Sequence, residues 1–408
     1  MHPAVTQWRQ AGAALALAVA ATAAQADAVT DWTLKQGDIV TESKMGTPPA
    51  VRVLAYVNSA VYEAVNAITR RHPGRVQVEA APGANVDAAI AAANRAAMLR
   101  LMPAQKDSIE AAYQAALATI ADGPAKAAGI AVGEKAAAAL FAARSDDSLA
   151  NPDTYRPHTT AGAYVPTASP AAIPWTQRKP WLLASPAQFR PGPPPALTSV
   201  TWAKDYQEVK QLGGKTSTQR TPEQTEIARF WDYSLPMIYQ GAVRSVALQP
   251  GRDVTANARL FAMTAQAMDD GLIAIFDAKY VYNFWRPVTA IRNGDLDGND
   301  ATERDAGWSS FIDTPMHPEY PSAHSILAAS VGTVLQAEIG KAPTPVLSTS
   351  SPTAKGATRS WNSVEDFVQE VAIARVYDGV HYRFSSDVGV AMGRKVGALA
   401  VEQFQPSH

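Results

Sequence analysis

Three short segments gather side chains whose types and spacing could do chemistry. In "HPEYPSAHS" (317–325), His317 and His324, two of the chain's seven histidines, flank a Tyr-Pro-Ser-Ala turn. Ser322 in that turn is a good N-cap for a helix predicted over 323–339. The first turn of such a helix offers unpaired N–H groups and a partial positive charge, which together attract an anion. In "KYVYNFWRP" (279–287), Lys279 and Arg286 are seven residues apart, a spacing that predicts one helix face about two turns apart, with the helix ending where Pro287 disfavours α geometry at Arg286. In "ARVYDGVHYRFSSDVG" (374–389), Arg375 stands near a predicted helix end and His381 follows an Asp378-Gly379 break that could bring the two together.

Each segment alone has a plainer reading: an aromatic face whose cationic stems reach to water, a capped helix with a surface histidine, a structural histidine in a turn. Taken together they supply three fixed cations, a hydroxyl, a helix N-terminus and two histidines. That set exceeds what a carboxylate needs and matches a tetrahedral oxyanion such as phosphate or vanadate. Three buried cations without an anion would be costly. Asp269-Asp270, ten residues before Lys279, has no third ligand in view and reads as a solvated pair rather than a metal site.

The elements that must hold these groups read as helices. From 49 to 146 the chain is alanine-rich, with helical stripes over 51–68, 86–102, 104–120 and 124–144, such as Leu54, Val57, Val61, Val65 and Ile68. Small alanines let helices approach closely, so a bundle is expected. Residues 165–195 hold nine prolines and can form neither a helix nor a central strand. They are expected to wrap the surface as a connector pinned by Trp175, Trp181 and Phe189. Beyond it, 198–213, 221–234, 253–286, 322–340, 361–378 and 387–404 read as helices, and no alternating strand pattern stands out. The expected class is all-α, with a leader at 1–26, a helical region over 27–195 that ends in the connector, and a second helical domain over 196–408.

Composition narrows the function. At 408 residues, 47 % hydrophobic and 18 % charged, the chain can bury a sizeable core and is not a disordered polymer. A formal net charge of −1 gives no footprint for nucleic acid or an anionic membrane surface. Arg9, the apolar run over 11–24 and Ala24-Gln25-Ala26 read as an export signal, so a periplasmic or secreted protein without a membrane span is expected. With no cysteine, disulfides, thiolate nucleophiles and cysteine-ligated metals are excluded.

The order Lys279-x6-Arg286-Pro287, Pro321-Ser322-Ala323-His324, Arg375-x5-His381 resembles the three-part signature of the vanadium-dependent haloperoxidase and type 2 phosphatidic-acid-phosphatase superfamily. "KYVYNFWRP" and "HYRF" look most like its soluble haloperoxidase branch, and "QFRPGPPP" is similar to a segment of bacterial members. The resemblance implies helical bundles around a vanadate site, without haem. It gives His381 as the vanadium ligand, Lys279, Arg286 and Arg375 as partners of the vanadate oxygens with the Ser322 hydroxyl and the Ala323 N–H, and His324 as the acid–base group. It implies His317 and Trp285 at the halide pocket, and His317, where the chloride-oxidising branch has phenylalanine, implies bromide or iodide. Hydrogen peroxide, a halide and a small organic molecule would be the reactants.

The chain departs from the family pattern at Ala323, usually glycine, at Ala374, commonly serine, and at Ser385, where many relatives carry an acid four residues after the ligand histidine. The same pocket could serve an exported acid phosphatase, with His381 as nucleophile and His324 protonating the leaving group, or a non-catalytic oxyanion binder, which would leave His324 without a task.

Overall fold

The structure is a computed structural model, and it describes residues 26–147 and 155–405. The leader read at 1–26 lies outside the described residues except for Ala26. Thirteen α-helices and one two-stranded hairpin make up the regular structure of the described residues. The expectation of an all-α fold is met, and no helix among them is long and apolar enough to cross a membrane.

The alanine-rich half forms α1 (Ala28–Glu42), α2 (Thr47–Thr69), α3 (Val86–Leu101), α4 (Lys106–Ala118) and α5 (Pro124–Ala143). Helix α1 escapes a sequence reading because its inward face is mixed, with Thr30, Thr33 and Gln36 buried among Val29, Trp32, Ile39 and Val40. Its start is nonetheless marked by a capping box between Asp27 and Thr30. Helix α2 is buried on nearly every side, since it packs on α3 and α5 and also on a long helix of the second half.

The connector follows. A single 3-10 turn at Ile173–Gln177 interrupts it, and Trp175 is buried. Its backbone is fixed by Asp270, whose carboxylate accepts hydrogen bonds from the N–H groups of Trp181 (2.7 Å), Leu182 (2.7 Å) and Leu183 (2.9 Å). Asp269 accepts from Arg52 at 2.5 Å and from the Trp181 indole at 2.7 Å. The two acids are therefore fully buried and paired, not solvated as the sequence suggested, because α2 presents Arg52 to them and the connector covers them.

The second half comprises α6 (Val200–Leu212), α7 (Pro222–Trp231), α8 (Met237–Ala247), α9 (Val254–Tyr282), α10 (Pro287–Arg292), α11 (Ala323–Ile339), α12 (Val364–Tyr377) and α13 (Arg383–Gln403). Helices α8 and α10 and the hairpin are additions to the sequence reading. Strands β1 (Leu347–Ser351) and β2 (Ala357–Trp361) pair antiparallel with Leu347 opposite Trp361, and their polar "LSTSS" and "ATRSW" lack the alternation that would announce them. Helix α9 packs against α2, α11 and α13. One apolar core accordingly runs from Val29 to Phe404 through both halves. A second cluster, with Trp202, Tyr206, Phe284, Trp285, Tyr320 and Tyr382, supports the segments that carry the chemistry. Helices α11 and α13 meet at very close range: a side chain at Gly389 or Gly393 would fall 2.6 or 2.4 Å from the carbonyl oxygens of Ser322 or Ile326.

Candidate active site

Lys279 lies in the last turn of α9, fully buried. The helix stops at Tyr282 because Asn283 turns left-handed (φ 45°), and Arg286 is extended (φ −76°, ψ 154°) ahead of Pro287. Lys279 and Arg286 therefore do not share a helix face, as the spacing had predicted; the turn between them converges their side chains from two directions. In extended chain neighbouring side chains point opposite ways. Arg286 enters the site, and Trp285 goes to the far side, where it stacks on Trp202 at 5.8 Å and lines a separate cleft with Thr160, Val288 and Leu296. Trp285 is thus not brought to the halide pocket expected for it.

Ser322 caps α11 as the sequence predicted, and its buried hydroxyl lies 3.0 Å from that of Ser325. Ala323 is not among the positive-φ residues, so it serves the helix start without the freedom of a glycine. On α12, Arg375 is followed by Asp378 and by Gly379, whose φ of 78° and close packing on Gly213 exclude any side chain. The resulting turn folds the chain back, and the N–H groups of Val380 and His381 both reach the Arg375 carbonyl at 3.2 Å. The break joins the two residues as anticipated.

His317, Ala323, His324, Arg375 and His381 line one cavity of about 380 Å³, with Leu272, Phe276 and Leu327 on its apolar side. Lys279, Arg286 and Ser322 stand behind this lining. The Lys279 ammonium donates to the carbonyls of Pro318 (3.1 Å) and Glu319 (2.7 Å). Arg286 donates to the carbonyls of His317 (2.9 Å) and Val380 (2.8 Å), and its guanidinium lies 3.0 Å from His317 Nδ1 and 3.3 Å from His381 Nε2. Arg375 donates to the Trp231 carbonyl (2.9 Å) and to Asp378 (2.5 Å).

Burial and mutual repulsion dominate the electrostatics. Burial, then the charge of Arg286, pushes Lys279 well below the usual lysine range, and burial lowers Arg286 to about 10. His317, His324 and His381 are all held well below ordinary histidine values, first by burial and then by the surrounding cations, so each imidazole is neutral. Four acids that the motif reading did not assign to the site belong to it: Asp232 and Asp313 line the cavity, and Glu319 and Asp378 lie buried beside it. Glu319 is fully buried, with Oε1 2.6 Å from His381 Nδ1, and burial raises it to about 7 against the pull of Lys279 and Arg286. Asp378 is likewise raised to about 7 by burial despite Arg375. The signal for Glu319 lay in the sequence: it is the one acid in "HPEYPSAHS", between the two histidines.

His324 Nε2 and Arg375 Nε are buried without a hydrogen-bond partner, and both residues line the cavity. Buried donors and acceptors are rarely left unmade, so an acceptor that also offers a hydroxyl is the matching occupant. An oxyanion with protonated and unprotonated oxygens is such a group. The donor set, three cations, a capped helix start and neutral imidazoles, fits vanadate or phosphate.

The fold is built of helical bundles, and the candidate site lies between α9, α11 and α12. Residues 259–407 match the family model described as the VCPO second helical-bundle domain. The chain is similar to a bacterial vanadium-dependent iodoperoxidase of known structure, at 26 % identity, TM-score 0.77, covering 93 % of this chain and 96 % of that one. An apo-type bacterial vanadium-dependent chloroperoxidase shares the fold at 19 % identity, TM-score 0.73, covering 88 % and 95 %. Among characterised proteins, the vanadium chloroperoxidase of Curvularia inaequalis is 24 % identical over a match of 48 % of this chain, and the chain spans 43 % of that relative's length. The family resemblance read from Lys279 to His381 is thus found in the sequence of the second bundle and in the fold of nearly the whole chain.

Proposed function

We propose that this chain is a vanadium-dependent haloperoxidase that uses hydrogen peroxide to oxidise bromide or iodide. The observation that carries the reading is the cavity itself, where His324, His381 and Arg375 meet on one wall with Lys279 and Arg286 behind them. The likeness to an iodoperoxidase supports the halide preference. Vanadate, when bound, supplies a centre that activates peroxide toward the halide, in the overall change H2O2 + X− + H+ → HOX + H2O.

The protein's own groups do the rest. Because guanidinium only donates, Arg286 beside His381 Nε2 makes that nitrogen the acceptor, and the same lone pair would serve as the ligand once Arg286 turned its N–H to the oxyanion. Lys279, Arg286 and Arg375 hold the oxyanion's charge, and the N-terminus of α11 adds its dipole. His324, kept neutral by burial, takes a proton from peroxide as it enters and can return it to the leaving water. His317 faces the same cavity, packs edge-on against Phe276 at 5.2 Å and holds Arg286 through Nδ1, where it meets the halide. The apolar side formed by Leu272, Phe276 and Leu327 suits a small aromatic molecule that captures the hypohalous acid. The export signal read at 1–26 sets this chemistry in the periplasm or outside the cell.

The test is halogenation of a phenolic dye by the purified protein with orthovanadate, peroxide and bromide or iodide. Turnover that requires all three supports the reading. No halogenation, with steady release of phosphate from an aryl phosphate in the absence of vanadate, would assign the site to a phosphatase.

A further inference from the structure

Both ring nitrogens of His381 have a hydrogen-bond partner. Nε2 lies 3.3 Å from a guanidinium nitrogen of Arg286, which can only donate, so Nε2 is the acceptor and the proton of the neutral ring is on Nδ1. Nδ1 lies 2.6 Å from Glu319 Oε1, the separation of a charge-assisted hydrogen bond. Ser385, four residues after the histidine, approaches Nδ1 only to 3.5 Å. Glu319 is itself held in place: its N–H donates to the Phe284 carbonyl at 2.8 Å, and its Oε1 also accepts from the Tyr382 N–H at 3.2 Å. The carboxylate thus reaches His381 from the loop before α11, while position 385 on α13 offers no acid.

We infer that Glu319 is the positioning residue of His381, fixing the imidazole with Nε2 turned to the oxyanion in the place that an acid at position 385 would otherwise fill. A carboxylate on the remote nitrogen of a ligand histidine sets its tautomer and orientation and raises its basicity, and such partners are worth about 10- to 100-fold in affinity for the bound group. The loop 317–319 then organises three of the cradle residues at once: Arg286 through the His317 carbonyl and ring, Lys279 through the carbonyls of Pro318 and Glu319, and His381 through the Glu319 side chain. This assignment rests on His381 as the ligand of the oxyanion, and it holds whether the reaction is halide oxidation or phosphate transfer.

Two readouts test it without turnover. The first is the imidazole proton on 15N-labelled Nδ1 of His381, assigned by its loss in His381→Ala and observed in the anion-free protein. The second is the calorimetric affinity for orthovanadate and for inorganic phosphate. Glu319→Ala should remove the low-field proton resonance and weaken both anions about 10- to 100-fold. Adding Ser385→Asp should restore the resonance and most of the affinity, because the aspartate side chain is one bond longer than the serine already near Nδ1. If Glu319→Ala is poorly folded, the isosteric Glu319→Gln should shift the resonance upfield and weaken binding by a smaller factor. An unchanged resonance in either variant, or a loss of affinity that Ser385→Asp leaves unrepaired, would make Glu319 only a counter-charge to Lys279 and Arg286 and overturn the assignment. A protein that binds the anions but halogenates nothing would count against the haloperoxidase reading alone.

Discussion

Helix α9 passes through two buried charge clusters ten residues apart, and they are built on opposite plans. Around Asp269 and Asp270 the acids are met from the fold itself: Arg52 bridges Asp269 and Asp147, and Asp270 takes three backbone N–H groups of the connector. Around Lys279 two of the three cations are bonded to neutral acceptors rather than to acids, although Asp232 and Asp313 also line the cavity. Lys279 and Arg286 spend their donors on carbonyl oxygens and imidazoles, and only Arg375 meets a carboxylate. That acid, Asp378, and the neighbouring Glu319 are both raised to about 7 by burial, despite the cations beside them. The first cluster ties α2 and the connector to α9; the second leaves His324 Nε2 and Arg375 Nε, on two residues that line the cavity, without partners.

The largest effect separating the two should come from His324. His324→Ala is expected to keep the oxyanion and lose about 100- to 10,000-fold in turnover, as removal of a general acid–base group does. Steady-state halogenation alongside vanadate titration measures this, and near-normal rates would remove His324 from the chemistry.

The clusters should also fail in different currencies. Arg52→Ala leaves Asp269 buried with its main partner gone and should cost about 3–5 kcal/mol of stability, with oxyanion affinity in the folded fraction unchanged. Arg286→Ala should weaken oxyanion binding more than tenfold, with a smaller loss of stability because it relieves like-charge repulsion from Lys279 and Arg375. Denaturant titration and calorimetry on both variants check the contrast, and equal stability losses would blur it.

At the cavity wall the effect should be selective rather than large. His317→Phe should retain the oxyanion and alter the relative rates with chloride, bromide and iodide, together with the pH optimum, since it removes a ring nitrogen from Arg286. Superimposable halide and pH profiles would leave His317 a structural residue.

The smallest expected effect lies in the first half. Glu63 on α2 is buried and raised to about 7 by burial, while its Oε1 accepts from the Arg75 N–H at 2.9 Å. A carboxyl raised on folding contributes stability that is complete below its unfolded value and is lost as pH rises through its folded value. The wild type should therefore lose stability relative to Glu63→Gln between pH 5 and 8, by at most about 3 kcal/mol from the size of the shift, with vanadate affinity unaffected. Thermal melts of both forms across that range measure the difference, and parallel curves would show that Glu63 ionises normally.

How far each cluster was legible in sequence follows from how its parts are spaced. Helices α2 to α5 of the first half announced themselves through alanine-rich stripes, and Ser322, Ala323 and His324 through capping chemistry that is local to five residues. Partners brought together over long separations were not legible in the same way. Arg52 and Asp269 are 217 residues apart, so Asp269-Asp270 looked like a surface pair until α2 and the connector covered it. Glu319 and His381 are 62 apart, and no periodicity joins them. Trp285 was misassigned for a local reason: a left-handed Asn283 ends α9 early, and two successive residues in extended chain cannot both face the cavity.

In the proposed function the second cluster is an oxyanion site with His381 at its centre. Titrating the purified protein with orthovanadate by calorimetry tests this most directly. One saturable site per chain, competed by phosphate and lost in His381→Ala, is the predicted result; no saturable binding, or binding that His381→Ala leaves intact, would contradict it.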